Sequence, residues 1–343
     1  MAADEALSGW MARELGIEGA YVSKALGGGN SNVTLLVESP RGRHVIRRPP
    51  GNTISPMAAR GVRREHDVLR ALAGRAAAPR AVAFCEDPAI LGAPFAVVEF
   101  VPGVAISDQL PSAYPVTAAT IDAIGCELMA GLASIHVLEP DDLDGLDWPR
   151  PDDFLRRQVE RWLKIRADDA VRALPALQRV GQLLLDRLPA AVPPALVHGD
   201  FHLDNTLFDA DAPRLEAMID WELATFGDPR LDLGLVLAFW GERPIAEPGF
   251  GFVQAVSRRA DVCDRQVLAE RWAQASGHDI HDLAYFCAFA LWRLAAMVEG
   301  AYCLHARGKV DSDYARNLEF DVPALLEEAA RHLGLEHIRG GRR

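Results

Sequence analysis

At 343 residues the chain exceeds the usual size of one hydrophobic core, so we expect two lobes with a cleft between them. Half of the residues are hydrophobic and 24% are charged, a composition that excludes a largely disordered chain. The net charge is -12 and the lysines and arginines are scattered, which argues against a nucleic-acid partner.

The N-terminal ten residues contain acidic side chains and lack the apolar core of a signal peptide. No stretch reaches the roughly 20 apolar residues needed to cross a bilayer, so we expect no membrane insertion. The five cysteines are widely spaced without a Cys-x-x-Cys pair, a pattern that indicates neither a disulfide framework nor a zinc site. We therefore expect a reduced, cytoplasmic protein, with an oligomeric state that these features do not determine.

The first hundred residues predict strands, turns and one helix. Extended apolar patterns predict short strands at residues 21–26, 33–38, 44–48 and 94–101. A glycine-rich turn at residues 27–32 joins the first two strands, and Pro49-Pro50-Gly51 ends the third. Apolar residues near helical spacing predict a helix at residues 57–73, which carries Glu65.

From about residue 116 onward, helical patterns dominate. They predict helices at residues 121–136, 154–166, 176–188, 266–275, 280–304 and 321–335. Residues 193–207 and 214–223 interrupt this series with short apolar runs that end in polar clusters, which indicates strands and loops. The chemistry of the chain is expected in this interruption.

Two segments of the interruption place polar residues directly after apolar runs. They read LVHGDFHLDN at residues 196–205 and AMIDWE at residues 217–222. Phosphoryl transfer needs a carboxylate that orients and deprotonates the attacking hydroxyl, together with an oxygen ligand and a carboxylate that hold magnesium against the phosphates. By position, Asp200 is the candidate base, and Asn205 and Asp220 are candidate metal ligands.

This set resembles the catalytic loop and metal-binding motif of the aminoglycoside phosphotransferase and choline kinase group, especially the kinase-like domains fused to some acyl-CoA dehydrogenases. The similarity extends over residues 27–234. It implies a protein-kinase-like, bilobal α+β fold, with a small lobe of antiparallel sheet plus helix at residues 1–101 and a larger, mainly helical lobe at residues 102–343. It also implies a small-molecule kinase that uses ATP and Mg²⁺.

In this group a glycine-rich loop covers the phosphates. The matching residues here are Gly28, Gly29, Asn30, Ser31 and Asn32. The next strand of the family supplies a lysine that contacts phosphate and pairs with a helix glutamate. Here that stretch reads VIRR, which makes Arg47 the candidate cation, with Arg48 as the alternative and Glu65 as the expected partner. Arginine keeps the charge but changes reach and donor geometry, so phosphate positioning is expected to differ from that in the lysine enzymes.

Two further segments match family signatures. Residues 95–103 resemble the hinge between the lobes, which implies that the Glu99 carbonyl and the Val101 N–H bind the adenine edge. Residues 227–234 resemble the segment whose buried aspartate braces the catalytic loop, which implies that role for Asp232. His198 is expected to pack and hydrogen-bond near the loop and not to act as a base.

The substrate is less constrained, because one catalytic loop serves many acceptors. The resemblance favours a hydroxylated acyl-CoA or a similar metabolite, for which Arg156, Arg157 or Arg161 would supply positive charge at the entrance. An aminoglycoside is the alternative acceptor, and Trp240 and Trp292 are weaker candidates for the substrate pocket. A non-catalytic nucleotide-binding protein of kinase shape is the alternative of another class.

Overall fold

The computed structural model describes residues 2–26, 32–49, 56–150, 152–243 and 254–335, and the side chains of residues 2–4 and 56–58 are not considered. The candidate phosphate-loop residues Gly28, Gly29, Asn30 and Ser31 lie outside the described residues. Asn32, the last residue of that candidate loop, is described and buried.

The N-terminal part is built on one five-stranded antiparallel sheet, with strand order β1-β2-β3-β5-β4. The strands are β1 (Tyr21–Leu26), β2 (Val33–Ser39), β3 (Gly42–Arg48), β4 (Ala81–Cys85) and β5 (Phe95–Glu99). A left-handed Gly42 makes the tight turn between β2 and β3 possible. The central position of β3 fixes Arg47 between Thr34 of β2 and Ala96 of β5.

Helices cover this sheet on both faces. Helix α1 (Ala2–Leu15) presents Leu7, Trp10 and Met11 at helical spacing, and these residues form a small core with the sheet. Helix α2 (Pro56–Ala71) covers the other face and joins the main core through Val68 and Leu69. A short helix α3 (Pro88–Leu91) connects β4 to β5. Because neighbouring strand residues face opposite sides, Ile46 points to the α1 core and Arg47 points toward α2.

The C-terminal part is mainly helical. Its helices are α4 (Ala118–His136), α5 (Phe154–Asp168), α6 (Pro175–Asp186), α7 (Arg230–Phe239), α8 (Arg265–Ser276), α9 (Leu283–Ala306) and α10 (Asp313–His332). Two small ribbons interrupt them, in which β6 (Ala195–Val197) pairs with β9 (Thr225–Gly227) and β7 (Thr206–Phe208) pairs with β8 (Leu215–Met218). The ribbons hold the two polar segments side by side, since Ile219 N–H donates to the Asn205 carbonyl at 2.9 Å.

The architecture confirms the expected bilobal α+β class. The sheet ends at Glu99, whereas the boundary at residue 101 stays a prediction. Two helices, α4 and α9, are long and apolar enough to cross a membrane by length and composition, although no such segment was expected from the sequence. In these helices 50% and 61% of the most apolar window is buried inside the fold, as in the core helices of a soluble protein. All five cysteines are free.

Helix α7 packs so closely on α9 that only glycine fits at position 234. A Cβ there would lie 2.6 Å from the backbone carbon and oxygen of Phe286. We expect Gly234→Ala to lower the free energy of unfolding by about 1–3 kcal/mol, because the two helices would have to separate. Gly300→Ala is the matched control in α9, where the nearest atom is the Arg166 guanidinium at 3.5 Å.

That control is expected to be neutral or to stabilise by up to about 1 kcal/mol through helix propensity. Urea unfolding followed by circular dichroism measures both variants. Equal stability of the two would show that the α7–α9 contact is not close.

Candidate active site

Arg47 lies at the centre of the site and binds groups from three elements. Its Nε donates to Glu65 Oε2 of α2 at 3.2 Å, and its Nη1 donates to Thr34 Oγ1 of β2 at 2.8 Å. Its Nη2 donates to Asp220 Oδ1 at 2.7 Å, which joins the sheet lobe to the helical lobe. One planar guanidinium makes all three bonds, an arrangement that a lysine ammonium could not reproduce with the same directions.

Burial and neighbouring charges together shift the pKa values in this cluster. The Arg47 and Glu65 side chains are only 11% and 5% exposed. Burial alone would lower the pKa of Arg47, but the carboxylates of Glu65 and Asp220 outweigh it and raise that pKa. Burial raises the pKa of Glu65, and the Arg47 charge opposes this shift. Arg48 faces away from the cluster, and its Nη1 donates to the Pro49 carbonyl at 3.0 Å.

The loop at residues 198–205 is closed by the side chain of Asn205. Its Nδ2 donates to the Asp200 carbonyl at 2.8 Å and to Asp200 Oδ2 at 3.1 Å. With the amide nitrogen held by Asp200, the amide oxygen is the atom of Asn205 that can act as a ligand.

Asp232, at the start of α7, braces this loop from below. Its two carboxylate oxygens accept the backbone N–H groups of His198 at 2.7 Å and Gly199 at 2.9 Å. The Gly199 backbone is left-handed, and a Cβ there would lie 2.4 Å from the Leu223 carbonyl oxygen, so only glycine fits. His198 Nε2 bonds the Ile219 carbonyl at 2.9 Å, and burial lowers the pKa of His198. His198 is therefore neutral and structural.

The second polar segment contains backbone strain. Asp220 has φ 67° and ψ 60°, a left-handed conformation that is rare for residues other than glycine. Such strain persists when neighbouring groups fix it, and it is concentrated at functional sites. Two residues later, Glu222 Oε2 accepts a hydrogen bond of 2.5 Å from Asn32 Nδ2. The chain that follows the candidate phosphate loop is therefore tied to the Asp220 segment.

The Asp200 carboxylate is ionised. Burial alone would raise its pKa, but His202 and Arg293 outweigh this effect and hold the pKa at about 2. His202 Nδ1 lies 3.1 Å from Asp204 Oδ2, and its Nε2 lies 3.7 Å from Asp200 Oδ2. Burial would lower the pKa of His202, but these two carboxylates raise it to about 10. Asp200 remains 32% exposed, so a substrate group can reach it.

Two connected cavities adjoin Asp200. A narrow one is lined by Asp200, Asp232 and Arg293 together with apolar residues of α7 and α9. A larger one of about 450 Å³ continues from it between α2, α5 and α9. Gly199, Leu231, Phe289, Arg293 and Met297 line both cavities. The larger cavity therefore borders the Asp200 loop at Gly199, whereas the narrow one, of about 10 Å³, holds no more than about one water molecule.

The donor set near Asp200 suits a hard cation. Asn205 and Asp220 offer amide and carboxylate oxygens, which Mg²⁺ prefers over nitrogen or sulfur. Within the described ranges, no three His, Cys, Asp or Glu side chains come together as a metal site. This observation is compatible with magnesium, because Mg²⁺ at phosphates is typically held by one or two carboxylates, with water and phosphate oxygens completing the shell.

Comparison with known proteins decides the family. The model of the Phosphotransferase enzyme family matches residues 23–270, well over half of the chain. The chain belongs to this family. This membership agrees with the resemblance found in the sequence.

Two relatives of this phosphotransferase are much longer than the chain itself. Acyl-CoA dehydrogenase family member 10 of Mus musculus is 29% identical over 294 residues, which cover 84% of the chain and 27% of the mouse protein. Probable acyl-CoA dehydrogenase IBR3 of Arabidopsis thaliana is 29% identical over 337 residues, covering 91% of the chain and 40% of the plant protein. The chain therefore spans less than half the length of these two relatives.

Among solved structures, a putative aminoglycoside phosphotransferase of Ralstonia eutropha superposes with a TM-score of 0.78 and 28% identity. The match covers 96% of this chain and 98% of that one. An aminoglycoside phosphotransferase solved with GDP and kanamycin has a TM-score of 0.63 at 17% identity, with coverage of 95% and 98%. This second likeness shows the fold alone.

The structure brings most of the sequence candidates of the phosphotransferase together. Hydrogen bonds link Arg47, Glu65 and Asp220 in one set and Asp200 and Asn205 in another, and the Ile219–Asn205 backbone bond joins the two. Their chemical roles stay predictions. In the candidate hinge, the Glu99 N–H donates to the Arg80 carbonyl within the sheet, and Val101 follows the last strand.

Other candidates lie elsewhere. Trp240 and Trp292 are fully buried, and their indole N–H groups donate to the Cys263 and Leu177 carbonyls, so both pack the core and do not line the substrate pocket. Arg156 lines a separate cavity, and Arg157 approaches Asp153 on the same helix. Of the three arginines proposed for the entrance, only Arg161 lines the large cavity.

Sequence reasoning missed three residues of the site: His202 as a cation beside Asp200, Arg293 from α9, and Arg64 from α2. The HxD spacing of His202 and Asp204 was a local signal for the first. Arg293 and Arg64 come from helices far apart in the chain, and no local pattern predicts that they meet near residue 199.

The buried Arg47–Glu65 pair is expected to be strongly coupled. Arg47→Met leaves the Glu65 carboxylate buried without its cation and should lower the free energy of unfolding by about 3–5 kcal/mol. The double variant Arg47→Met/Glu65→Met should be more stable than Arg47→Met, because both charges are removed. Urea denaturation of the two single variants, the double variant and the wild type gives the coupling energy.

The matched control is the Arg63–Glu86 pair, whose side chains are 45% and 74% exposed. Its coupling should stay below about 1 kcal/mol, because water screens an exposed pair. Additive effects of the Arg47 and Glu65 substitutions would contradict a buried ion pair.

Proposed function

We propose that this phosphotransferase moves the γ-phosphoryl group of ATP to a hydroxyl of a small molecule, with Asp200 as the base. The carrying observation is that the partly exposed Asp200 carboxylate, held by Asn205, lines a narrow cavity next to the larger one between α2, α5 and α9. The glycine-rich loop, residues 28–32, and Arg47 would contact the phosphates. The hinge carbonyl of Glu99 and the N–H of Val101 would bind adenine.

Asp200 has the properties that this step requires. Its pKa of about 2 keeps it ionised at neutral pH, so it accepts a hydrogen bond from the acceptor hydroxyl and orients the oxygen for in-line attack. The hydroxyl oxygen forms a bond to the γ-phosphorus as the bond to the ADP oxygen breaks. The hydroxyl proton passes to Asp200 and then to solvent. Asp232 and Asn205 hold the loop, so that Asp200 does not need to reorganise.

Asn205 and Asp220 would hold magnesium through their oxygens. A bound Mg²⁺ ion would neutralise charge on the phosphates as the phosphoryl group transfers. Asp220 Oδ1 accepts from Arg47 in this structure, so the carboxylate is already fixed in direction. Glu65 in turn holds Arg47 in place.

Two acceptors are supported by the relatives. The likeness to acyl-CoA dehydrogenase family members supports a hydroxylated acyl-CoA or a similar metabolite. A viomycin phosphotransferase of Streptomyces vinaceus, 26% identical over 188 residues covering 51% of this chain and 62% of that protein, supports an antibiotic instead. A reducing, cytoplasmic location is part of the proposal and is supported by the free cysteines.

Asp200→Asn tests the base. The variant should lower kcat for ADP formation by about 10²–10⁴-fold, because the amide cannot accept the hydroxyl proton. Asp211→Asn, on the exposed turn between β7 and β8, is the matched control and should retain wild-type kcat. A coupled assay with ATP, Mg²⁺ and a panel of hydroxylated acyl-CoAs and aminoglycosides measures both.

Equal turnover by Asp200→Asn and wild type would refute the base assignment. The absence of acceptor-dependent ADP formation, with ATP still bound, would favour a non-catalytic nucleotide-binding protein.

Asp220→Asn tests the metal assignment. The variant should need about tenfold more Mg²⁺ for half-maximal activity, since a neutral amide replaces a charged ligand. A magnesium titration at saturating ATP measures this value, with Asp211→Asn again as control. An unchanged magnesium requirement would remove Asp220 from the metal site.

A further inference from the structure

The large cavity next to Asp200 is rich in arginine. Its described lining includes four arginines, Arg60, Arg64, Arg161 and Arg293, and one carboxylate, Glu222. The arginines come from α2, α5 and α9, so three separate helices direct positive charge to one space. In a chain with net charge -12, such a cluster is opposite in sign to the molecule as a whole.

Part of this charge lacks a carboxylate partner among the described residues, although Arg293 interacts with Asp200 and Asp232. Arg161 forms no ion pair with any residue that the structure describes, whereas Arg156 and Arg157 on the same helix each approach an acidic partner. The Arg293 Nε is buried and lacks a hydrogen-bond partner in the described part of the chain. Glu222, the one carboxylate of the described lining, accepts a hydrogen bond of 2.5 Å from the Asn32 amide, and its single charge is too small to balance four guanidinium groups.

The arginines also repel one another. Burial lowers the pKa of Arg64, and the Arg161 charge lowers it further. Burial likewise lowers the pKa of Arg293, with Arg161 adding to the shift while Asp200 and Asp232 oppose it. Like charges that converge in a partly buried space cost free energy, which a bound anion would recover.

Arg64 is held in place, and among the described residues only its Nη1 has a hydrogen-bond acceptor. Its Nη1 donates to the Ala224 carbonyl at 2.6 Å, and its guanidinium carbon lies 4.6 Å from the Trp148 ring centre. The contact through Nη1 leaves Nη2 and Nε to point elsewhere. An arginine fixed in this manner loses little side-chain entropy on binding a carboxylate or phosphate.

Apart from Gln158 and Thr225, apolar side chains form most of the remaining walls. Phe154 and Trp162 of α5, Leu223, and Phe289 and Met297 of α9 line the same cavity. Phe289 and Met297 also line the narrow cavity that reaches Asp200. A hydrocarbon segment fits these walls, and a hydroxyl on it would lie toward the Asp200 end.

The cavity is distinct from the proposed adenine position. Neither Arg47 nor any hinge residue from 95 to 101 lines it. Glu222 of its wall bonds Asn32 of the candidate phosphate loop, so the cavity borders the proposed phosphate position and lies apart from the proposed adenine position. The positive charge of the cavity disfavours a polycationic aminoglycoside, which would bring like charges against the arginines.

We propose that this cavity binds the acceptor and that the acceptor is an amphiphilic hydroxylated anion. Arg64, Arg161 and Arg293 bind its carboxylate or phosphate oxygens, while the apolar walls bind its hydrocarbon segment. The assignment rests on the proposed function, because the hydroxyl is the group presented to Asp200. It adds to that function the charge of the acceptor and the residues that select it.

Isothermal titration calorimetry of the full chain without nucleotide tests the assignment. The probes are 3-hydroxyoctanoate, 3-hydroxyoctanoyl-CoA and uncharged octane-1,3-diol, with kanamycin as the polycation. At least one of the two anions should bind about tenfold or more tightly than the diol and kanamycin, because charge-assisted hydrogen bonds add to burial. Binding of the thioester alone identifies the CoA phosphates as the recognised oxyanions, and binding of the free acid identifies the carboxylate.

Arg161→Gln and Arg293→Gln should each weaken binding of that anion by about tenfold or more. Arg157→Gln is the matched control on the same helix, outside the cavity lining and 62% exposed, and it should bind as wild type. Arg161 is itself exposed, so its variant is expected to fold, and near-ultraviolet circular dichroism checks both variants.

The proposal is overturned if the diol or kanamycin binds as tightly as the anions, if no probe binds, or if Arg161→Gln binds anions as wild type. ADP release is measured separately with the same probes. Anion binding that depends on Arg161 without ADP release would refute phosphoryl transfer alone. Equal ADP release with the diol and the anions would refute the charge assignment alone.

Discussion

The site depends on one buried cation. Arg47 bridges Glu65 of α2 and Asp220 of the second lobe while also binding Thr34 on the neighbouring strand. A buried guanidinium is stable only when its donors meet acceptors, so these partners must keep their positions. The contacts of Arg47 therefore depend on three features. These are the strained Asp220 backbone, the position of α2 and the register of β3.

A second constraint fixes the Asp200 loop independently of that cation. The Asp232 carboxylate accepts two consecutive backbone N–H groups, and Gly199 allows the close passage beneath Leu223. The loop therefore rests on helix α7, and α7 rests on α9 through Gly234. Helix α9 also supplies Arg293 to the cavity, so the packing of two core helices places the Asp200 carboxylate relative to the arginines.

Much of this arrangement was predictable from local sequence. Glycine and proline residues marked the ends of the strands. The order of Asp200, Asn205 and Asp220 predicted phosphoryl transfer. Strand alternation alone did not choose between Arg47 and Arg48, because the choice depends on which face α2 covers. Helix α1 was missed although Leu7, Trp10 and Met11 carry its apolar spacing. Helix α7 was also not predicted. It is buried on all sides, so its sequence lacks the periodic polar face of an amphipathic helix.

Other features required the folded chain. Helix α10 begins at Asp313 and continues through Pro323, whereas the sequence pattern predicted a start at residue 321. The arginine-lined cavity includes α2 and α9, which are more than 200 residues apart, and only tertiary packing brings Arg64 and Arg293 together. Local sequence therefore predicted the reaction class, while the proposal of an anionic acceptor depended on long-range structure.

Arg64 and Glu65 are adjacent residues of helix α2, but their side chains lie in different parts of the site. Glu65 holds the guanidinium assigned to the phosphates, and Arg64 lines the acceptor cavity. A rigid helix transmits any translation to both side chains at once. Under the proposed function, a shift of α2 on binding of either ATP or the acceptor would reach the other site, so the two binding free energies would be linked through two neighbouring positions on one helix.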